Sequence, residues 1–189
     1  MTTATAEKTN TLVNGIDTDQ VISLVTSVAE NEAYGKFRFR VDNQWINGSR
    51  SRTKIQGFFA GDKENSDRKQ ALTVDADQPH FLAGQNTAPN AVEYLLHSLT
   101  SCLNTTLVYH ASVQGIILDE VIVFAEGEMN VRGYFGISDE VNRGYECIRV
   151  NMQVKSDADV ETLTALAMHS PVYEVVSRSV PVKFNMTKI

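Results

Sequence analysis

Residues 89–115 read PNAVEYLLHSLTSCLNTTLVYHASVQG, and this stretch decides the fold. Several of its residues recur at steps of three and four, which is the spacing of one face of an α-helix. The residues on this face are Leu95, Leu99, Cys102, Leu103, Thr106 and His110. Other apolar residues widen the stripe until little of the helix is polar, and such a helix is normally buried. The pattern predicts a central buried helix that presents one thiol, that of Cys102.

The ends of this helix are also marked in the sequence. Pro89 and Asn90 favour a start here, because proline lacks an amide that would go unpaired and asparagine can cap the first turn. Gly115 favours an end, since glycine tolerates the left-handed conformation found just past many helices. Glu93 lies in the first turn, where a carboxylate interacts favourably with the positive end of the helix dipole, with or without a further role.

Length and composition narrow the class of protein. A chain of 189 residues is long enough for one domain with a sizeable core. A formal net charge of -6 argues against a nucleic-acid partner, and no apolar run is long enough for a membrane span. The first ten residues, MTTATAEKTN, lack the pattern of a signal peptide, and two cysteines do not make a disulfide framework. We therefore expect a cytoplasmic protein with free thiols.

Before the central helix, the sequence predicts a covering helix and three strands. The helix starts after Asp17, which can form a capping box with Gln20. The strands are predicted at 36–41, 49–60 and 71–74, with a turn at Asn47-Gly48 and a charged loop over 61–70. Strands connected in this way form an antiparallel meander. We assign residues 1–34 to an N-terminal tail and covering helix and residues 35–189 to the main part of a single domain.

After the central helix, the periods indicate two more strands, two helices and a closing strand. The two strands are predicted at 117–131, with a bulge near Gly127, and at 145–155, with a loop over 132–144 between them. A helix capped by Ser156 or Asp157 follows, and a shorter helix begins at Ser170 and Pro171. The closing strand is predicted at 180–186. In the 145–155 strand, Ile148 and Val150 face one way, whereas Cys147 and Arg149 face the other. The sequence therefore predicts an α+β fold, mostly antiparallel, around one buried helix.

Residues 75–102, DADQPHFLAGQNTAPNAVEYLLHSLTSC, resemble the OsmC/Ohr family of osmotically inducible and organic-hydroperoxide-resistance proteins. The resemblance rests on a D-x-P loop, a glycine turn, the pair Pro-Asn, a glutamate and an apolar helix whose first half ends in Ser-Cys. It extends over roughly 37–189, including the segment HSPV at 169–172. The resemblance implies an OsmC-like antiparallel sheet wrapped around the long central helix in an intertwined homodimer.

The resemblance also implies a metal-free reduction of peroxides by cysteine, with no cofactor. In active members of the family, the helix cysteine attacks the O–O bond and becomes a sulfenic acid, and an arginine and the helix glutamate hold it as thiolate. Cys102 matches the attacking position. Glu93 falls at the carboxylate position or one residue after it, depending on the subgroup. Arg50 and Arg52 follow the Asn47-Gly48 turn, where one branch of the family has its arginine, and Arg50 is the preferred candidate. The plainer interpretation of either residue is a solvated charge on the hairpin.

The sequence departs from the family at the second, resolving cysteine, because Ser170 occupies that position in HSPV. A serine cannot form a disulfide, although it remains a good helix cap. Cys147 is the other thiol, and its predicted place on the opposite sheet face makes it a poor partner for a core helix. The sequence thus indicates a single-cysteine subgroup in which an external thiol must reduce an oxidised Cys102.

Plainer interpretations remain open for these residues. Cys102 can be a small buried hydrophobic residue, the common fate of a free cysteine. His97 and His110 share the helix thirteen residues apart without a second ligand at metal spacing, so no metal site is expected. His169 and Ser170 lack the G-x-S-x-G elbow of a serine hydrolase.

The resemblance, together with the departure at Ser170, implies two alternative functions. The first is a weak cysteine-based peroxidase that reduces organic hydroperoxides with an external thiol. The second is a catalytically silent dimeric module that binds a small apolar or thiol-bearing ligand, and it is motivated by Ser170. A purely structural homodimer is a third possibility.

Overall fold

A computed structural model describes residues 12–189 of the chain. The chain divides into two compact units, one formed by residues 12–22 with 96–189 and the other by residues 23–95. The division at residue 34 stays a prediction, and the first eleven residues of its tail lie outside the described part. Within residues 12–189, no helix combines the length and apolar character that crossing a membrane requires.

The predicted central helix is confirmed. It is α2, Ala91–Val113, preceded by Pro89 and Asn90 and followed by Gly115 at a φ of 71°. Its fully or nearly fully buried residues are Leu99, Leu103, Leu107, Ala111 and Ser112. Most of them follow one another at steps of four, so the single chain buries one stripe of the helix. Tyr109 and Val113, by contrast, are exposed by 43% and 41%.

The first unit is built on a three-stranded sheet. Its strands are β9 (Glu120–Met129), β10 (Tyr145–Lys155) and β11 (Val182–Lys188), in the order β11-β10-β9. β9 runs antiparallel to β10, and β11 runs parallel to it. The parallel pair is possible because α4 (Val160–Ala167) and α5 (Pro171–Ser177) lie in the connection between β10 and β11.

The core of this unit joins the sheet to the helices. The alternation predicted for β10 is confirmed, because Ile148, Val150, Met152 and Val154 are all fully buried. They belong to one cluster with the buried stripe of α2 and with Leu163 and Leu166 of α4. The other face of β10, which carries Cys147 and Arg149, is partly or fully exposed.

Several local predictions for this unit are wrong. The irregularity lies between Tyr145 and Cys147 of β10, and Gly127 on β9 pairs regularly with Ile148. The predicted loop over 132–144 overlaps a short helix, α3 (Val131–Tyr134). The cap of α4 is Asp159, whose Oδ1 accepts a hydrogen bond from the Thr162 amide at 2.8 Å, and neither Ser156 nor Asp157 serves in that place.

The N-terminal hairpin of this unit was missed by the sequence reasoning. It consists of β1 (Leu12–Val13) and β2 (Ile16–Asp17), joined by Asn14 and Gly15 with positive φ angles. The side-chain nitrogen of Asn14 donates to the Ile116 carbonyl at 2.9 Å, and its oxygen accepts from the Leu118 amide at 2.9 Å. The hairpin is thereby fixed to the chain that leaves α2. The helix α1 (Thr18–Glu30) follows, and Asp17 caps it as predicted by accepting from the Gln20 amide.

The second unit contains two three-stranded antiparallel sheets, ordered β3-β6-β7 and β4-β5-β8. The strands are β3 (Arg38–Phe39), β4 (Asp42–Asn47), β5 (Arg50–Ile55), β6 (Phe58–Ala60), β7 (Lys63–Asn65) and β8 (Leu72–Ala76). A turn is present between β4 and β5, at Gly48 and Ser49, one residue later than predicted. The predicted antiparallel pairings are found, since β3 pairs with β6 and β5 with β8, but they lie in two separate sheets and not in one meander. The sequence missed β4, divided the segment 49–60 too coarsely and placed β7 in a loop.

Candidate functional site

Cys102 lies in the middle of α2, next to the buried Leu103 and half-buried itself. Its Sγ lies 4.0 Å from the Thr106 Oγ1 on the next turn. Both cysteines of the chain are free thiols. The thiol on the central helix therefore lies at the border between the buried stripe and the more exposed surface of α2.

Glu93 has a structural function at the start of the same helix. Its Oε2 accepts a hydrogen bond from the Asn90 amide at 2.8 Å, and the Asn90 Oδ1 accepts one from the Glu93 amide at 2.9 Å. This reciprocal pair is a capping box with asparagine in the serine position. Glu93 and Cys102 are nine residues apart on α2, a rise of about 13.5 Å on an ideal helix. The catalytic role of Glu93 stays a prediction.

The two candidate arginines differ in their partners. Arg52 forms a two-pronged ion pair with Asp75, with Nε to Oδ1 at 2.6 Å and a second bond at 2.7 Å to Oδ2. These hydrogen bonds, aided by charge attraction, raise the pKa of Arg52 and lower that of Asp75. Arg50 is half-buried at the first position of β5, and no side chain among residues 12–189 forms an ion pair with it. Of the two candidates, Arg50 is thus the one without an ion-pair partner among these residues, and its catalytic role stays a prediction.

Asp77 is a buried carboxylate that the sequence reasoning did not single out. It is 2% exposed and accepts four hydrogen bonds: from the Ser49 hydroxyl at 2.6 Å, the Gln78 amide at 2.8 Å, and the Thr87 amide and hydroxyl at 3.0 and 2.8 Å. These bonds, that of Ser49 first, hold the pKa of Asp77 well below its usual range. The signal was present in the sequence, since Asp77 is the aspartate of the D-x-P loop.

Ser170 occupies the place predicted for a resolving cysteine, and its function as a cap is confirmed. The side chain is fully buried, and its Oγ accepts a hydrogen bond from the Tyr173 amide at 3.2 Å in the first turn of α5. Cys147 lies on β10, where its Sγ contacts the carbonyl of the next residue at 3.8 Å. The resolving position therefore carries no sulfur, and the serine side chain that occupies it caps α5.

The structure pairs two histidines that the sequence left separate. The rings of His110 and His169 are stacked with their centroids 4.6 Å apart. Partial burial, and to a lesser extent the neighbouring His169, lower the pKa of His110. Ser101 and His97 contact each other one turn apart on α2. Among residues 12–189, no group of three or more potential ligands is arranged to hold a metal ion.

The sequence profile of the family described as OsmC-like protein matches residues 84–185, which is more than half of the chain. The chain belongs to the OsmC-like family. The match includes Cys102 and Ser170 as well as all of α2, and it confirms the resemblance inferred from the residues around them. Among curated proteins, none matches this chain.

Solved structures show the same fold. An OsmC-like protein from Mycoplasma pneumoniae has a TM-score of 0.61 at 12% identity, covering 80% of this chain and 97% of that one. An organic hydroperoxide resistance protein OsmC from Legionella pneumophila has a TM-score of 0.56 at 17% identity, covering 79% and 96%. An organic hydroperoxide resistance protein from Elizabethkingia anophelis has a TM-score of 0.56 at 16% identity, covering 80% of this chain and 98% of that one. These comparisons establish an α+β OsmC-like fold with a long central helix.

Proposed function

We propose that this OsmC-like protein reduces organic hydroperoxides at Cys102 and is restored by an external thiol. The observation that carries the proposal is the free, half-buried thiol on the central helix of a chain in this family. Two proteins of the same fold are named for organic hydroperoxide resistance, which supports the choice of substrate. The reducing cytoplasm would supply the thiol.

The reaction divides into two half-reactions. The Cys102 thiolate attacks the terminal oxygen of the hydroperoxide, the O–O bond breaks, and Cys102 becomes a sulfenic acid while the alkoxide takes a proton and leaves as alcohol. A thiol then attacks the sulfenic sulfur, releasing water and forming a mixed disulfide. A second thiol attacks that disulfide, so the protein returns to its starting state and the reductant leaves oxidised.

Neighbouring residues have distinct parts in this proposal. On the family resemblance, Glu93 and an arginine, Arg50 by preference, would set the protonation of Cys102 and the geometry of the leaving group. Ser170 cannot form a disulfide with Cys102, which is why the reductant must come from outside. Cys147 takes no part, because it contacts its own strand on β10.

We further propose that the protein is a homodimer. Apolar side chains are exposed in the single chain on both α1 and α2, and a second copy would cover them. The exposed fractions are 51% for Leu24, 60% for Val25 and 43% for Tyr109. An apolar hydroperoxide would then enter at the dimer interface. Sedimentation should give a dimer at micromolar concentration, and a monomer would contradict this part of the proposal.

Turnover with defined reagents tests the peroxidase. Cumene hydroperoxide is mixed with catalytic amounts of protein and an excess of dithiothreitol, and hydroperoxide loss is followed. The unchanged protein and the Cys147→Ser variant should both consume many equivalents, whereas Cys102→Ser should stay at the rate of the thiol alone. Equal consumption by the Cys102→Ser variant would overturn the proposal.

The alternative is a catalytically silent module for a small apolar or thiol-bearing ligand. One observation favours it: the resolving position is a fully buried serine that caps α5. Native mass spectrometry of the purified protein should then show a bound small molecule. An unliganded mass, together with thiol-dependent turnover, would leave the peroxidase as the function.

A further inference from the structure

A hydroxyl group lies beside the Cys102 thiol within the first compact unit. Cys102 and Thr106 are four residues apart on α2, so their side chains lie on the same face of the helix, one turn apart. The Thr106 Oγ1 lies 4.0 Å from the Cys102 Sγ. Among residues 96–189, no other side chain makes a hydrogen-bonding contact with this sulfur. Thr106 is therefore the polar neighbour that α2 itself provides for the thiol.

Other hydroxyl groups on α2 bind the helix backbone. Thr100 Oγ1 donates to the Leu96 carbonyl at 3.0 Å. Ser112 Oγ donates to the Val108 carbonyl at 2.6 Å. Bonds to a carbonyl one turn back are a common arrangement for serine and threonine inside a helix. Among residues 12–189, no carbonyl accepts a hydrogen bond from Thr106, so its hydroxyl proton can point to the sulfur.

The surroundings of the pair are partly apolar. Cys102 and Thr106 are both half-buried, and the residues that follow them, Leu103 and Leu107, are fully buried. A hydrogen bond in such surroundings is electrostatically stronger than the same bond in water. A donor at this position therefore has a larger effect on the sulfur than it would have on an exposed helix.

The strength of the contact depends on the protonation state of the sulfur. A neutral thiol is a weak donor and a weak acceptor, which agrees with the long distance of 4.0 Å. A thiolate accepts hydrogen bonds as a charged group, and such bonds are shorter and roughly twice as strong as neutral ones. Thr106 therefore interacts more favourably with the ionised sulfur, and it favours transfer of the Cys102 proton to water.

We infer that Thr106 is a further catalytic residue: its hydroxyl donates a hydrogen bond to the Cys102 thiolate and so increases the fraction of the sulfur that is ready to attack a hydroperoxide. The inference rests on the proposed function, because it concerns the same sulfur. Thr106 keeps its own proton and contributes no atom to the product. The effect requires only α2, since both residues lie on this helix.

The pH dependence of alkylation tests this inference. All proteins carry Cys147→Ser, so that Cys102 is the one thiol of the chain, and its rate of reaction with iodoacetamide is measured against pH. Thr106→Val removes the hydroxyl and nearly preserves the shape of the side chain, whereas Thr106→Ser keeps the hydroxyl. Thr105→Val is the matched control, because it makes the same substitution at the exposed neighbouring position of α2.

The variants should separate by the presence of the hydroxyl. Thr106→Val should raise the midpoint of the alkylation curve by about half a unit, which is a roughly threefold lower rate at a pH below the midpoint. Thr106→Ser and Thr105→Val should stay within about 0.2 unit of the parent. At a pH above all midpoints, the four proteins should react at the same rate, because the sulfur is then fully ionised in each.

Three results would overturn the inference. They are an unchanged midpoint in Thr106→Val, an equal rise in Thr106→Ser, and an equal rise in Thr105→Val. If Thr106→Val does not fold by circular dichroism, Thr106→Ala replaces it with the same expectation. The proposed peroxidase is judged separately, by whether cumene hydroperoxide oxidises Cys102 in the parent protein. Oxidation of the parent together with an unchanged midpoint in Thr106→Val would refute the function of Thr106 alone.

Discussion

Replacing Ser170 by alanine measures how much the side chain at the resolving position contributes to the free energy of unfolding. Ser170 is 0% exposed, and its Oγ accepts the Tyr173 amide at 3.2 Å. Loss of such a cap costs about 1 kcal/mol, and the half-buried amide left without an acceptor raises the total to about 1–2 kcal/mol. For a chain of this length, that corresponds to a fall in melting temperature of roughly 2–8 °C.

The assay is urea and thermal unfolding of the unchanged protein beside Ser170→Ala, Ser170→Cys and Ser179→Ala. Ser179 is a matched control, since it is exposed past the end of α5 and its hydroxyl donates to the Val175 carbonyl. We expect Ser170→Cys to fall between the serine and alanine proteins, because sulfur is a weak acceptor. Equal stability of Ser170→Ala and the control would refute the view that Ser170 is retained as a cap.

Further predictions concern acid stability and the core. Asp77 has a depressed pKa in the folded protein, so its stabilising contribution is present above the ordinary aspartate pKa and is lost as the pH falls. In urea unfolding from pH 7 to pH 3, the difference in free energy of unfolding between the unchanged protein and Asp77→Asn should therefore become smaller. A difference that stays constant over this range would contradict the prediction. Leu103→Ala should lower the free energy of unfolding in urea by about 2–5 kcal/mol, because Leu103 is fully buried. The control Thr105→Ala, at an exposed position of the same helix, should change it by no more than about 0.5 kcal/mol. Equal losses in the two variants would be inconsistent with the burial of Leu103. Gly127→Ala should destabilise by about 1–3 kcal/mol, because its Cβ would lie 2.4 Å from the Tyr145 ring, and a neutral result would show that the ring can move away.

The elements that the sequence predicted well have local causes. The start of α2 depends on Asn90 and its end on Gly115, and both act within one helical turn. The alternation of β10 is set by residues two apart, so Ile148 and Val150 could be assigned to the core directly. The free cysteines could also be predicted, because Ser170 removes the expected partner of Cys102.

The wrong predictions concern features that depend on a distant partner strand, or on a choice between neighbouring residues with the same capping ability. Whether a strand contains a bulge is decided by both strands, and here the extra residue is in β10 beside Tyr145, not at Gly127. The segment 156–159, SDAD, contains three residues able to cap, and tertiary structure selects Asp159.

Contacts between distant residues left no periodic signal in the sequence. The carboxylate of Asp77 gathers Ser49 and Thr87, which are 28 and 10 residues away. The stacking of His110 on His169 joins α2 to the segment between α4 and α5. Single-sequence patterns report the period of an element, and neither contact follows from a period.

The central claim is that Cys102 is oxidised by an organic hydroperoxide and waits for an outside thiol. The most direct measurement treats the Cys147→Ser protein with one equivalent of cumene hydroperoxide and records its intact mass, with and without dimedone to trap sulfenic acid. Our account predicts the gain of one oxygen atom at Cys102, its conversion to the dimedone adduct, and its reversal by dithiothreitol. An unmodified thiol after this treatment would contradict the account.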